Sequence, residues 1–114
     1  RIFGNEAACC CRQMNYVTIE FSDSTGQMCA YESKNSKFIF NESAGDFSAS
    51  KLDGCEVYLY DKINGYSCGY DSKKTSFYSP YESVLSKIAF FKNNKGCSYF
   101  LLDEHDDPEE VTFK

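Results

Sequence analysis

GQMCAYESKNSKF at residues 26–38 returns 39 residues later as GYSCGYDSKKTSF at residues 65–77. Six of the thirteen positions are identical: Gly26/Gly65, Cys29/Cys68, Tyr31/Tyr70, Ser33/Ser72, Lys34/Lys73 and Phe38/Phe77. A repeat of this kind constrains the fold before any local reading does. At the same offset Ile19-Glu20-Phe21 falls on Tyr58-Leu59-Tyr60. With gaps, Ser50-Lys51-Leu52 falls on Ser86-Lys87-Ile88, and Gly54-Cys55 on Gly96-Cys97. The unit is therefore about forty residues long. The spacing predicts a single domain over 1–114, with repeat 1 at about 15–54, repeat 2 at about 55–96 and a C-terminal hairpin at 97–114.

Each unit reads as strands. Residues 16–21 and 55–60 alternate apolar and polar side chains, the period of a half-buried strand. Asp23–Gly26 and Lys62–Gly65 read as turns, the second ending in Asn-Gly. Residues 27–31 and 66–70 are expected to return as strands, and 37–41 and 76–79 to form short third strands. Ser79-Pro80-Tyr81-Glu82 has the form of a helix start with proline in the first turn. One or two helical turns should follow before residues 86–91 extend again, then a turn at 93–96, a strand at 98–102, an acidic loop at 104–110 and a last strand at 111–114.

Two forty-residue units of about four strands each resemble the βγ-crystallin domain, a pair of Greek-key motifs. Tyr58-x6-Gly65-x-Ser67 looks like that family's aromatic–glycine–serine signature, with Phe21 to Gly26 as a weaker first copy. Ser50-Lys51-Leu52 and Ser86-Lys87-Ile88 fall where the family has its Lys-Ile-Ser segment. The resemblance covers about residues 15–92 and implies an all-β, two-sheet antiparallel sandwich built from two Greek-key-like repeats. The family's calcium ligands are missing from both copies, so neither a metal nor another cofactor is expected.

Ten Phe and nine Tyr supply most of the bulk, with no Trp. The net charge of −5 and only two arginines argue against a nucleic-acid surface. No apolar run is long enough to enter a membrane. Seven cysteines, with no C-x-x-C and a single histidine, predict disulfides rather than a zinc site. Cys9, Cys10 and Cys11 are each expected to reach a different partner among Cys29, Cys55, Cys68 and Cys97, leaving one thiol unpaired and stapling the N-terminal tail over the body. The sequon Asn41-Glu42-Ser43 is consistent with secretion.

No catalytic set stands out. His105 lies among Asp103, Glu104, Asp106, Asp107, Glu109 and Glu110, carboxylates expected to favour its protonated form and so make it a poor base. The chain is therefore expected to be a secreted, non-enzymatic binding protein that recognises a protein or glycan on another cell or organism, in the manner of an effector, virulence factor or toxin. Tyr66, Tyr78 and Tyr81 are the candidate anchors, since the second repeat carries more tyrosine than one sheet face can bury. A carbohydrate-binding module with exposed tyrosines is the first alternative, and a small secreted hydrolase the second.

Overall fold

The computed structural model describes residues 11–113. Five short strands, β1 (Thr18–Phe21), β2 (Lys37–Phe40), β3 (Glu56–Leu59), β4 (Ser76–Ser79) and β5 (Ser98–Leu102), lie parallel and in chain order in one sheet. A sixth, β6 (Pro108–Val111), closes the edge antiparallel to β5. One helix, α1 (Glu82–Ala89), separates β4 from β5. Corresponding strand residues recur after 19, 19, 20 and 22 residues. A second parallel line of bridges joins Asn15, Lys34, Asp53, Lys73 and Lys95. The chain thus winds as a β-solenoid, each coil lying on the one before.

This corrects the expected two-sheet antiparallel sandwich. The strands belong to a single sheet in which β1 to β5 are parallel, so the crystallin-like duplication does not describe the fold. Residues 27–31 and 66–70 are turns rather than returning strands. The observed repeat of 39 residues is two coils. Gly26, Gly45 and Gly65 share one column of the stack, while the other matched columns alternate from coil to coil: Cys29, Ser48, Cys68; Tyr31, Ser50, Tyr70; Ser33, Leu52, Ser72; Lys34, Asp53, Lys73; Phe38, Val57, Phe77. Stacked residues sit about 4.8 Å apart. At that spacing a cation packs well beside an anion and a large side chain beside a small one, while planar aromatic rings can stack on one another.

The solenoid interior is mainly apolar, with a substantial minority of buried serine and threonine hydroxyls. Phe21, Phe38, Phe40, Val57, Leu59 and Phe77 are fully buried, and the rings of Phe21 and Phe40 stack at 4.6 Å. Corners are closed by buried serines and threonines that satisfy backbone groups of neighbouring coils. Ser36 Oγ accepts from the Val17 N–H at 3.2 Å and donates to the Lys34 carbonyl at 2.8 Å. Thr75 Oγ1 accepts from Cys55 N–H and donates to Lys73 O. Ser48 and Ser72 accept from the N–H of Cys29 and Leu52 in the same way. A buried polar group is tolerated when it is bonded, and here the corner supplies the partners.

Cysteines take hydroxyl positions in these columns. Cys55 and Cys97 alternate with Ser36 and Thr75, their thiols directed at the carbonyls of Ser33 and Ser72, each at 3.5 Å. No disulfide joins any two of Cys11, Cys29, Cys55, Cys68 and Cys97; Cys9 and Cys10 lie outside the described residues. The geometry explains why. Cys29 and Cys68 share a column but stand two coils apart, as do Cys55 and Cys97. That is roughly 9.6 Å between Cα atoms, beyond the ~7 Å reach of a disulfide. The expected disulfide from Cys11 to the body is absent, so among the described residues the disulfide framework is overturned, and with it the ground for inferring a secreted toxin or effector.

Backbone conformation also repeats by column. Tyr16, Asn35, Gly54, Lys74 and Gly96 share a left-handed corner, and Gln13, Glu32, Lys51 and Asp71 share another. Most of these corners are turned by residues with a side chain, which costs energy that the inter-coil bonds offset. The glycine column has a different cause. A Cβ on Gly45 would run into the Gly26 carbonyl, and one on Gly65 into the backbone of Gly45 and Asp46.

Three outcomes follow. Gly45→Ala should lower stability in urea by about 2–3 kcal/mol, the cost of overpacking a site whose neighbour is backbone. Lys74→Gly should raise it by about 0.5 kcal/mol, since the left-handed strain relieved slightly exceeds the added chain entropy. In thiol mapping by mass spectrometry, Cys55 and Cys68 should be alkylated only after unfolding. A disulfide linking any two of Cys29, Cys55, Cys68 and Cys97 would contradict the stack.

Candidate functional site

Strand residues that point away from the core form rows across the sheet. The central outward row is Glu20, Ile39, Tyr58, Tyr78 and Phe100, fixed by the pairing register. In-register stacking brings the rings together: Tyr58 on Tyr78 at 4.3 Å and 5°, and Tyr78 on Phe100 at 4.8 Å and 13°. Tyr60, just beyond β3, lies 6.3 Å from Tyr58. All are partly exposed. Lys37 Nζ sits 5.0 Å over the Tyr58 ring, and the Tyr78 hydroxyl is 3.4 Å from Glu56 Oε1.

Burial against neighbouring rings raises the pKa of Tyr58 and Tyr60, and the Asp106 carboxylate adds to the shift at both. Burial also raises Tyr78, with Tyr58 and Glu56 contributing. The phenols therefore stay neutral over a wider pH range than free tyrosine.

The three tyrosines expected to anchor a partner sit on different elements. Tyr78 belongs to the ladder. Tyr66, 70% exposed, lies on the turn segment edge-to-face with Phe47 at 5.9 Å. Tyr81 is the N-cap of α1 and is exposed. Tyr58 and Phe100, which share the row of Tyr78, were not among the candidates. Their signal was an aromatic or aliphatic residue recurring at 39, 58, 78 and 100, visible only once the twenty-residue coil is known.

The acidic segment has a structural task. Asp103 Oδ1 accepts the N–H groups of His105 and Asp107, at 2.8 and 2.9 Å, which ties the hairpin loop between β5 and β6. His105 is exposed at its tip, 3.5 Å from Glu104. Another face carries rows of alternating charge, Glu32, Lys51, Asp71 beside Lys34, Asp53, Lys73, with Lys73 and Asp53 paired at 3.7 Å. Lys95 extends the second row beside Lys73, so the face carries four lysines against three acids. Among the described residues no group of three or more His, Cys, Asp or Glu is placed to hold a metal ion, and no helix is long and apolar enough to cross a membrane.

The ladder makes an alkaline prediction. In the unfolded chain tyrosine loses its proton near pH ~10, whereas Tyr58 and Tyr78 hold theirs higher. Their contribution to stability is complete below the unfolded value and is lost as pH rises through the native one. Tyr58→Phe with Tyr78→Phe should therefore flatten the fall in stability above about pH 10, read as urea midpoints across that range.

No family model, curated protein or solved structure matches this chain.

Proposed function

We propose that the chain is a non-catalytic binding scaffold that docks a protein partner on the outer face of its parallel sheet. The observation that carries this reading is the Tyr58–Tyr78–Phe100 stack. Tyrosine and phenylalanine are favoured anchors because they offer large area for little conformational freedom. Here that freedom is already reduced, since each ring is held by its neighbour before any partner arrives. Preordering lowers the cost of association. Glu20, Lys37 and Glu56 flank the stack and supply the polar rim expected around such anchors.

A protein is favoured over a glycan by the ring geometry. Sugars stack on an open aromatic face, but at 4.3 Å and 5° Tyr58 and Tyr78 cover one another's faces. Edges and hydroxyls remain for a partner, which suits side-chain contact and hydrogen bonding.

The test is a peptide-display selection on the intact protein, with counter-selection on Tyr58→Ser/Tyr78→Ser. Selected peptides should bind the wild type at least ten-fold more tightly than the double variant, whose melting must remain cooperative. His105→Ala should leave their binding unchanged. Peptides that bind the double variant as well as the wild type would remove the sheet face from consideration.

A further inference from the structure

The coils are not all alike, and their departures from the regular period meet at one place. Strand pairing keeps Phe40 and Leu59 in step at 19 residues. By the glycine column the offset is 20, because Gly65 N–H bonds to Ala44 O and Ala44 N–H to Asn64 Oδ1. One extra residue therefore enters between Tyr60 and Ile63. The second departure is α1, which occupies the corresponding arc of the next coil and lengthens it to 22 residues. In repeat proteins such insertions gather on the working face.

Between these two insertions lies a cleft of about 250 Å³. Leu59, Cys68, Val84 and Ile88 form its buried apolar wall, and Ile63 stands exposed at its mouth. Burial pushes the Cys68 thiol up to about 12, so the wall carries no charge there. Lys62 from the inserted corner and Lys87 from the last turn of α1 also line the cleft, contributed by two different elements. Neither is in an ion pair with a described residue. No acidic side chain lines the cleft. Neighbouring Asp61 turns an oxygen back to the Ile63 N–H at 3.0 Å. Asn64 is already engaged, its Oδ1 by Ala44 N–H and its Nδ2 by the Asp61 carbonyl. The polar functions left to a ligand are two ammonium groups and the Ser83 hydroxyl.

We propose that this cleft is a binding site for a small amphiphilic carboxylate, with its short apolar body against Leu59, Val84 and Ile88 and its head between Lys62 and Lys87. The volume falls below the ~300–1,000 Å³ of sites for drug-sized ligands, which limits the body to a short chain or single ring. Two lysines on flexible stems act as point charges and match a compact anionic head. The site is separate from the sheet face and does not depend on a partner binding there.

Octanoate titrated into the intact protein, followed by amide NMR shifts, tests the site. Shifts should centre on Cys68, Val84 and Ile88. Octanol, which lacks the charge, should bind at least ten-fold more weakly, and acetate, which lacks the body, should produce no such shifts. Lys62→Gln/Lys87→Gln should weaken octanoate at least ten-fold while leaving octanol unchanged. Val84→Trp, at the cleft wall, should abolish binding. If that variant fails to fold, Ser83→Trp at the opening serves the same purpose. Equal affinity for octanol and octanoate, octanoate shifts elsewhere on the molecule, or no octanoate binding at millimolar concentration would each overturn the assignment.

Discussion

Residues that share a column of this solenoid stand about 4.8 Å apart, and that spacing governs the rest of the structure. It lets the rings of Tyr58, Tyr78 and Phe100 stack on the outside and those of Phe21 and Phe40 on the inside. It requires glycine where backbone meets backbone, at Gly45 and Gly65. It forbids disulfides between cysteines two coils apart and so leaves thiols to alternate with hydroxyls. It rewards alternation of size and charge, as in Phe38–Val57–Phe77 and Lys34–Asp53–Lys73.

That alternation is also why the sequence misleads. Comparing Gly26–Phe38 with Gly65–Phe77 finds true structural equivalents, yet the coil between them has Ser48 for cysteine, Ser50 for tyrosine and Val57 for phenylalanine. The strongest self-similarity therefore lies at twice the structural period, and a forty-residue unit suggests a Greek key. Local signals did better. The strands near 18–21, 37–40, 56–59, 76–79 and 98–102 were legible from alternation, and a helix start after Pro80 was too. But α1 starts from Tyr81 without a side-chain cap and runs to Ala89, through residues expected to extend again. The direction of pairing was not, since short parallel and antiparallel strands share the same alternation. Nor were the corners, because Asn35, Lys51 and Lys74 turn them in left-handed conformations usually marked by glycine. The site was legible in composition, as an excess of tyrosine, but its grouping depends on the register.

The ends and insertions of the solenoid carry its individuality. β6 covers the edge of β5 with Pro108, Glu109 and Glu110, residues that discourage further strand addition. The added corner residue and α1 interrupt the coil period and open the lysine-lined cleft. The regular sheet supplies a rigid aromatic face, and the irregular arc a pocket. Repeat architectures combine the two readily, because each coil depends mainly on its neighbours.

The in-register parallel stack is the central claim, and backbone NOEs in the intact protein test it most directly. The account predicts inter-strand contacts linking Phe38 to Val57 and Val57 to Phe77, in the pattern of parallel strands, with no direct contact between the backbones of Phe38 and Phe77. Short Hα–Hα contacts joining residues 56–60 to 66–70, as in an antiparallel hairpin, would contradict it.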